Sequence, residues 1–265
     1  MSEYQENSVV QKIEQLVDAT YRLTLLAPAI SAAAQPGQFV MAACGASYDP
    51  LLRRPFYIHQ VAAEAGTLQL LFKVIGTGTK LLSTLLPGDV VSLIGPLGRG
   101  FHFAKESPVC LVGGGMGIAP LLFLAQTILE QPLLPDSCVV LLGSRSAADT
   151  PQLAAAFADL GCLVRIATDD GSLGHHGLVS DLLPPYLSTT KKVFVCGPFA
   201  MMAAIAKLSR DSAVPCEVSL EAHMACGLGA CLGCTVHGVG GGYKHVCKHG
   251  PVFKAEEVVW TRLSP

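Results

Sequence analysis

Val109-Cys110-Leu111-Val112-Gly113-Gly114-Gly115-Met116-Gly117-Ile118-Ala119-Pro120 is the stretch on which the fold turns. Its first four residues are apolar without alternation, the pattern of a strand buried on both faces. The glycines end that strand, and a helix is expected over 118–130. A buried strand that passes through a glycine turn into a helix opens a parallel crossover unit. Glycines at such a turn let a dinucleotide phosphate approach the backbone and face the helix N-terminus. Gly113, Gly114, Gly115 and Gly117 are therefore candidate nicotinamide-binding residues. The run is not a G-x-G-x-x-G fingerprint, and a glycine turn of purely structural use is written the same way.

Toward the C-terminus the alternation continues. Val139-Val140-Leu141-Leu142 reads as a strand, 151–160 as a helix, Leu163 to Ala167 as a strand, Lys192-Val193-Phe194-Val195-Cys196 as a strand and 199–208 as a helix. Continuous apolar strands alternating with helices predict a parallel sheet covered on both faces. Cys196, Gly197 and Pro198 stand at a strand end and helix start, where parallel sheets bind their ligands, and are candidates for the nicotinamide side. A core cysteine before a Gly-Pro turn is the plain alternative. Arg145, in Gly143-Ser144-Arg145-Ser146, would meet a 2′-phosphate or stack on adenine, so both NAD and NADP stay open.

Residues 1 to about 104 have a different rhythm. Gln38-Phe39-Val40-Met41, Phe56-Tyr57-Ile58 and Leu68 to Val74 are short strands, punctuated by Pro36-Gly37, Pro87-Gly88 and Gly95-Pro96-Leu97-Gly98. This spacing predicts a small antiparallel barrel, interrupted by a helix from Thr79 to Leu86. Arg54-Pro55-Phe56-Tyr57 offers a guanidinium for a pyrophosphate and an aromatic for a flat ring. Gly76-Thr77-Gly78-Thr79 leads from a strand into a helix whose N–H groups suit the same pyrophosphate. Each element alone also reads as an ordinary turn; together, about twenty residues apart on one barrel, they point to a flavin.

From about 215 the chain turns to Gly, Cys and His. Cys226-x4-Cys231-x2-Cys234-x12-Cys247 matches the plant-type [2Fe–2S] spacing. Four thiolates on two irons leave bridging sulfides that need inward-facing backbone N–H groups. Gly227, Gly229, Ala230 and Gly233 leave room for that approach. A zinc site with four cysteine ligands is the alternative, but zinc modules usually pair two C-x2-C knuckles and this stretch has one. His223, His237, His245 and His249 flank the region as surface or supporting groups. The other six cysteines are scattered singly, several in apolar strand-like runs, and read as small hydrophobes.

Eighteen Lys+Arg against 20 Asp+Glu give a formal net charge of −2, without a basic footprint for nucleic acid or anionic lipid. Hydrophobics at 51% and charged residues at 14% suit a chain that buries one side against a partner, or simply an Ala-, Val- and Leu-rich core. No run reaches the ~18 apolar residues of a spanning helix. Met1 to Asn7 lacks the features of a signal peptide, so the expected location is cytoplasmic.

The order of these motifs resembles the ferredoxin-reductase superfamily, and within it the electron-transfer (iron–sulfur) subunits of type 1B dihydroorotate dehydrogenases. The resemblance covers nearly the whole chain. Arg54-Pro55-Phe56 looks like the family's FAD motif and Gly76-Thr77-Gly78-Thr79 like its pyrophosphate loop, with Lys73 among the implied cofactor-binding residues. Gly95 to Phe101 resembles the barrel-end segment. Gly113 to Pro120 and Cys196-Gly197-Pro198 resemble the nicotinamide motifs. Thr168-Asp169-Asp170-Gly171-Ser172, Ser219 to Gly227 and Val246 to Phe253 are more particular to this subunit. Tyr57 departs from the Ser or Thr common in the superfamily, and Gly238-Val239-Gly240-Gly241-Gly242 is a glycine stretch before the fourth cysteine.

The resemblance implies an α/β multi-domain chain: an FAD-binding β-barrel at 1–104, an NAD-binding α/β domain at 105–214 and a [2Fe–2S] domain at 215–265. It implies FAD, NAD and a [2Fe–2S] cluster on Cys226, Cys231, Cys234 and Cys247 as cofactors, and no substrate acid or base. It further implies an FMN-containing dihydroorotate dehydrogenase catalytic subunit as partner, in a heterotetramer of pyrimidine biosynthesis. A ferredoxin:NAD(P) oxidoreductase or hydrogenase-type subunit shares the layout, and a zinc-stapled nucleotide-binding module is the non-redox rival.

Overall fold

In the computed structural model, which describes residues 3–45, 49–103, 107–130, 137–149 and 151–261, the N-terminal part is a closed six-stranded antiparallel barrel. Its elements are β1 (Tyr4–Val17), β2 (Thr20–Leu26), α1 (Pro28–Ala33), β3 (Phe39–Ala42), β4 (Arg54–Ala62), β5 (Thr67–Lys73), α2 (Thr77–Ser83) and β6 (Val90–Leu97). The strand order is β1-β2-β5-β4-β3-β6. Leu23 and Leu25 on β2, Leu68 and Leu70 on β5, and Val91 and Leu93 on β6 recur at period two and point into the barrel, where all six are buried. α1 was not anticipated. Pro28 opens it, and the Glu6 carboxylate accepts the free amides of Ala29 and Ile30 at 3.1 and 2.8 Å.

The helix expected over Thr79–Leu86 begins two residues earlier and ends at Ser83. The Thr79 hydroxyl accepts the amides of Ile75 and Gly76 at 3.0 and 3.2 Å, so it closes the helix start from inside the first turn. At the other end Leu86 belongs to a turn, its amide donating to the Asp89 carboxylate at 2.7 Å.

The sheet that follows has the order β10-β9-β8-β7-β11-β12-β15. Along the chain run β7 (Val109–Gly114), α3 (Ala119–Leu129), β8 (Cys138–Ser144), α4 (Pro151–Asp159), β9 (Leu163–Thr168) and β10 (His175–His176). Then come α5 (Pro184–Leu187), β11 (Lys192–Cys196), α6 (Phe199–Asp211), β12 (Cys216–Ser219), β13 (Thr235–His237), β14 (Tyr243–His245), α7 (Val246–His249) and β15 (Val252–Lys254). All neighbours pair parallel except β15, which is antiparallel to β12. α3 and α4 cover one face over Leu111, Val140 and Leu142; α6 covers the other over Val112, Leu141 and Val195. The strands thus lie buried on both faces, as their unbroken apolar runs predict.

Gly115–Ile118 forms a 3₁₀ turn, so α3 starts at Ala119 rather than 118. The segment after 215 begins and ends on this sheet, through β12 and β15, and the cysteine loop is hung between them. The 104/105 division lies outside the described residues. No helix among the described residues is long and apolar enough to cross a membrane.

Barrel and sheet meet where α3 packs on β4. Buried His59 on β4 makes a 2.8 Å hydrogen bond through Nδ1 with the carbonyl oxygen of Ala119. Burial lowers its pKa from 6.5 to about 4. The unfolded chain takes up this proton near 6.5, and the folded one resists until about 4. Stability from this group is therefore full above pH 6.5 and is lost as pH falls toward 4, by about 3 kcal/mol in all. Urea midpoints at pH 7.5 and 4.5 check this: the wild type should lose markedly more than His59→Gln. Equal losses would remove His59 from the acid response.

Candidate cofactor sites

The cysteine loop leaves the sheet at the end of β12, where the Leu220 amide donates to the Pro251 carbonyl at 2.9 Å. Gly238 to Gly242 form the turn between β13 and β14, with the Gly238 amide on the Gly242 carbonyl at 3.2 Å. That hairpin returns the chain so that the Val246 amide reaches the Cys234 carbonyl at 3.0 Å. It brings Cys234 Sγ to 3.2 Å from Cys247 Sγ, thirteen positions on.

Five backbone N–H groups donate to the thiol sulfurs. Those of Leu228 and Cys231 reach Cys226 at 3.4 Å each, Gly229 reaches Cys247 at 3.1 Å, Gly233 reaches Cys231 at 3.5 Å and Cys247 reaches Cys234 at 3.5 Å. Gly227 and Gly229 make this possible with φ of +72° and +78°, where a side chain would strain the backbone. Burial works against charge on Cys226, yet the Cys231 and Leu228 amides outweigh it and bring the thiol down to about 6. Cys247 is pushed up to about 12, first by burial and then by the adjacent Cys234. Four sulfurs with inward N–H donors and little side-chain bulk fit a [2Fe–2S] cluster. Cys234 and Cys247 are buried while Cys231 is exposed, so the loop has one side toward the protein and one toward solvent.

A second site lies at the C-terminal ends of β7 and β11, where an open parallel sheet binds its ligands. A cavity of about 660 Å³ is walled by Gly114 to Gly117, by Gly197, Pro198 and Phe199, by Leu220 and Glu221, and by β13 and the 258–261 tail. Gly113 and Cys196 lie behind this wall. Gly113 faces Leu121, and the Cys196 thiol is fully buried, which raises its pKa. The glycines have different uses. A Cβ on Gly117 would strike the Cys196 carbonyl, and one on Gly114 would strike the Met201 sulfur, whereas Gly115 opens onto free space. Two of the expected phosphate glycines thus hold the end of β7 and the turn after it against the end of β11 and the start of α6.

A third cavity, about 290 Å³, lies at the seam between barrel and sheet. Pro55, Phe56, Tyr57, Lys73 and Thr79 supply its barrel side; Met116 comes from the turn after β7, Ala119 from the start of α3, and Leu220, Glu221, Ala222 and Met224 from the start of the cysteine loop. Arg54, Gly76, Thr77 and Gly78 lie beside it. A Cβ on Gly78 would stand 3.4 Å from Arg54 Cγ, so the two expected pyrophosphate elements are neighbours. The Arg54 guanidinium donates to the Leu52 carbonyl at 2.6 Å. Arg53, unremarked in the sequence, is held by Ser92 through its carbonyl at 2.5 Å and its hydroxyl at 2.9 Å.

Met116, Leu220 and Glu221 line both of the last two cavities. Glu221 is exposed at their rim, yet the protein around its carboxyl raises its pKa. Sequence reasoning missed this shared wall: Ser219 to Gly227 was recognised as a characteristic stretch, but nothing local says that it closes a cavity on the barrel. A larger cleft, about 1060 Å³, opens near the start of β11 and holds none of the expected cofactor residues.

A closed antiparallel barrel beside a parallel sheet, with cavities at the strand ends and a four-cysteine loop, defines a ferredoxin-reductase-like electron-transfer protein. Residues 111–207 match the oxidoreductase NAD-binding domain, and residues 221–259 the iron–sulfur cluster binding domain of dihydroorotate dehydrogenase B. The chain is 44% identical over 248 residues to the dihydroorotate dehydrogenase B (NAD(+)) electron transfer subunit of Desulforamulus reducens, covering 91% of this chain and 93% of that one. It is 38% identical over 261 residues to the same subunit of Geobacillus kaustophilus, covering 96% and 98%. Among solved structures, an NADH-dependent reduced ferredoxin-NADP oxidoreductase superposes with a TM-score of 0.84 at 28% identity, over 96% of this chain and 90% of that one. The chain belongs to the family of dihydroorotate dehydrogenase B electron transfer subunits. It is an oxidoreductase subunit with FAD, a [2Fe–2S] cluster and NAD as its cofactors.

Proposed function

We propose that this chain carries electrons between NAD and an FMN-containing dihydroorotate dehydrogenase catalytic subunit, in a cytoplasmic heterotetramer of pyrimidine biosynthesis. The observation that carries this reading is the wall of Met116, Leu220 and Glu221 shared by the two cavities, continuing directly into the cysteine loop. When bound, flavin and cluster supply the conversion between a two-electron hydride carrier and single electrons.

The chain's own residues orient and shield. Arg54 with Gly76, Thr77, Gly78 and Thr79 would hold the FAD pyrophosphate, and Pro55, Phe56, Tyr57 and Lys73 would enclose its ring system. Gly114, Gly115 and Gly117 shape one wall for NAD and Gly197 and Pro198 the facing one, with Gly113 and Cys196 supporting them from behind. Cys226, Cys231, Cys234 and Cys247 would hold the cluster, with Cys231 on the exposed side.

An anaerobic visible titration of the purified chain with NADH tests the reading. Flavin bands over a broad iron–sulfur absorption should bleach, and adding the catalytic subunit should link that bleaching to dihydroorotate and orotate. A colourless chain holding one zinc per molecule would overturn it.

A further inference from the structure

Tyr57 stands on the barrel, paired with Phe39 across β3 and β4, and its ring borders the seam cavity. Its hydroxyl lies on the other side of the seam. It accepts a hydrogen bond from Ser219 Oγ at 2.9 Å and donates to the Leu220 carbonyl at 3.2 Å, across 162 and 163 positions of chain. The Cys196 thiol adjoins both hydroxyls. Ser219 is the last residue of β12, fully buried and in register with Cys196 on β11.

Three parts of the molecule therefore meet at one oxygen atom: the barrel, the ligand end of the parallel sheet and the first residue of the cluster segment. Leu220 and Glu221, the residues held by this contact, are the shared wall of the two cavities. A buried hydroxyl with donor and acceptor both satisfied fixes its partners in direction as well as distance. A serine at position 57 would stop a ring's length short of Ser219.

We infer that Tyr57 is a positioning residue: its hydroxyl clamps the Ser219–Glu221 turn to the barrel and sets the spacing of both cavities and of the cluster loop. The role rests on the electron-transfer reading above, but the clamp itself is a property of this chain's own side chains. Small displacements of groups along a reaction path cost rate steeply, which gives the clamp its consequence.

The test uses Tyr57→Phe, Ser219→Ala, the double variant and Tyr57→Ser in the full cofactor-loaded chain. Hydrogen exchange is read over residues 219–224, and the rates of flavin and of cluster reduction by NADH are read by stopped flow. Tyr57→Phe and Ser219→Ala should each speed exchange over 219–224 while leaving β7 and β8 unchanged. Each should slow cluster reduction about ten-fold with little change in NADH KM. The double variant should be no worse than Tyr57→Phe, because that change already removes the Ser219 contact together with the Leu220 one.

Unchanged exchange overturns the clamp, whatever the rates. Wild-type behaviour of Tyr57→Ser overturns it too, by showing that a short hydroxyl suffices. If Tyr57→Phe fails to fold, Ser219→Ala alone decides, since it removes the contact from the sheet side. A wild-type chain that NADH does not bleach refutes the electron-transfer reading instead, and the exchange data still judge the clamp.

Discussion

Replacing Cys247 with alanine should strip the chain of its iron–sulfur absorption, with iron falling below about a tenth of the wild-type content, while flavin is retained and still bleached by NADH. Cys247 is the proposed ligand whose loss the loop can least repair. It is buried, its sulfur lies 3.2 Å from Cys234, and it accepts the Gly229 amide at 3.1 Å. Among the described residues of the loop, regular structure amounts to the three-residue strands β13 and β14 and the four-residue α7. Elements that short bury little, so metal binding carries much of the local folding free energy. The variant should therefore also exchange amides faster across 226–247 than the loaded wild type. Delivery of electrons to the catalytic subunit should fall to background, because the route out of the flavin is gone. Cys216→Ala is the control: Cys216 starts β12, away from the cluster, and its loss should leave iron content unchanged. A Cys247→Ala chain with normal iron and a normal visible spectrum would remove Cys247 from the ligand set.

What the sequence made legible, and what it hid, follows the distance over which each feature is specified. The candidate cluster cysteines stand out in the sequence because thiolate chemistry and spacing lie within 22 positions. The sheet was readable because a strand buried on both faces leaves an unbroken apolar run, and β11 was expected at its observed bounds. β1, β2 and β6 were not singled out. Their pattern mixes exposed polar residues with buried apolar ones, and strands such as β1 carry bulges that break strict alternation. Chain order also concealed that β12 and β15 extend the sheet, since four-residue and three-residue strands give little periodic signal. The Tyr57–Ser219 contact joins residues 162 positions apart, and no local pattern encodes it. Position 57 could be flagged only as a departure from Ser or Thr, and its meaning came from the partner it reaches.

In the glycine turn after β7, Gly114 and Gly117 press against the facing segment while Gly115 opens onto free space. Gly117→Ala should lower stability by about 3 kcal/mol, a melting-temperature fall of roughly 6–12 °C for a chain of this size. The added Cβ would strike the carbonyl of Cys196 and stand 2.5 Å from the Gly197 Cα. Both are backbone atoms, and Cys196 ends a strand held by β7 on one side and β12 on the other, so neither can move aside cheaply. Relief must come from pushing the 115–118 turn away from 196–198, which parts the two walls of the candidate nicotinamide cavity. NADH-driven bleaching should consequently fall by about a hundred-fold. Gly115→Ala separates the two uses of glycine. Gly115 has φ of +54° and open space around it, so alanine there costs about 1 kcal/mol of backbone strain and disturbs no packing. If close approach of the dinucleotide is the dominant constraint, Gly115→Ala should raise the NADH KM while Gly117→Ala stays comparatively mild. If loop-against-loop packing dominates, as the Cys196 contact requires, Gly117→Ala loses stability and turnover together and Gly115→Ala keeps most of both. Melting curves and NADH kinetics with an artificial electron acceptor on the two variants decide between them.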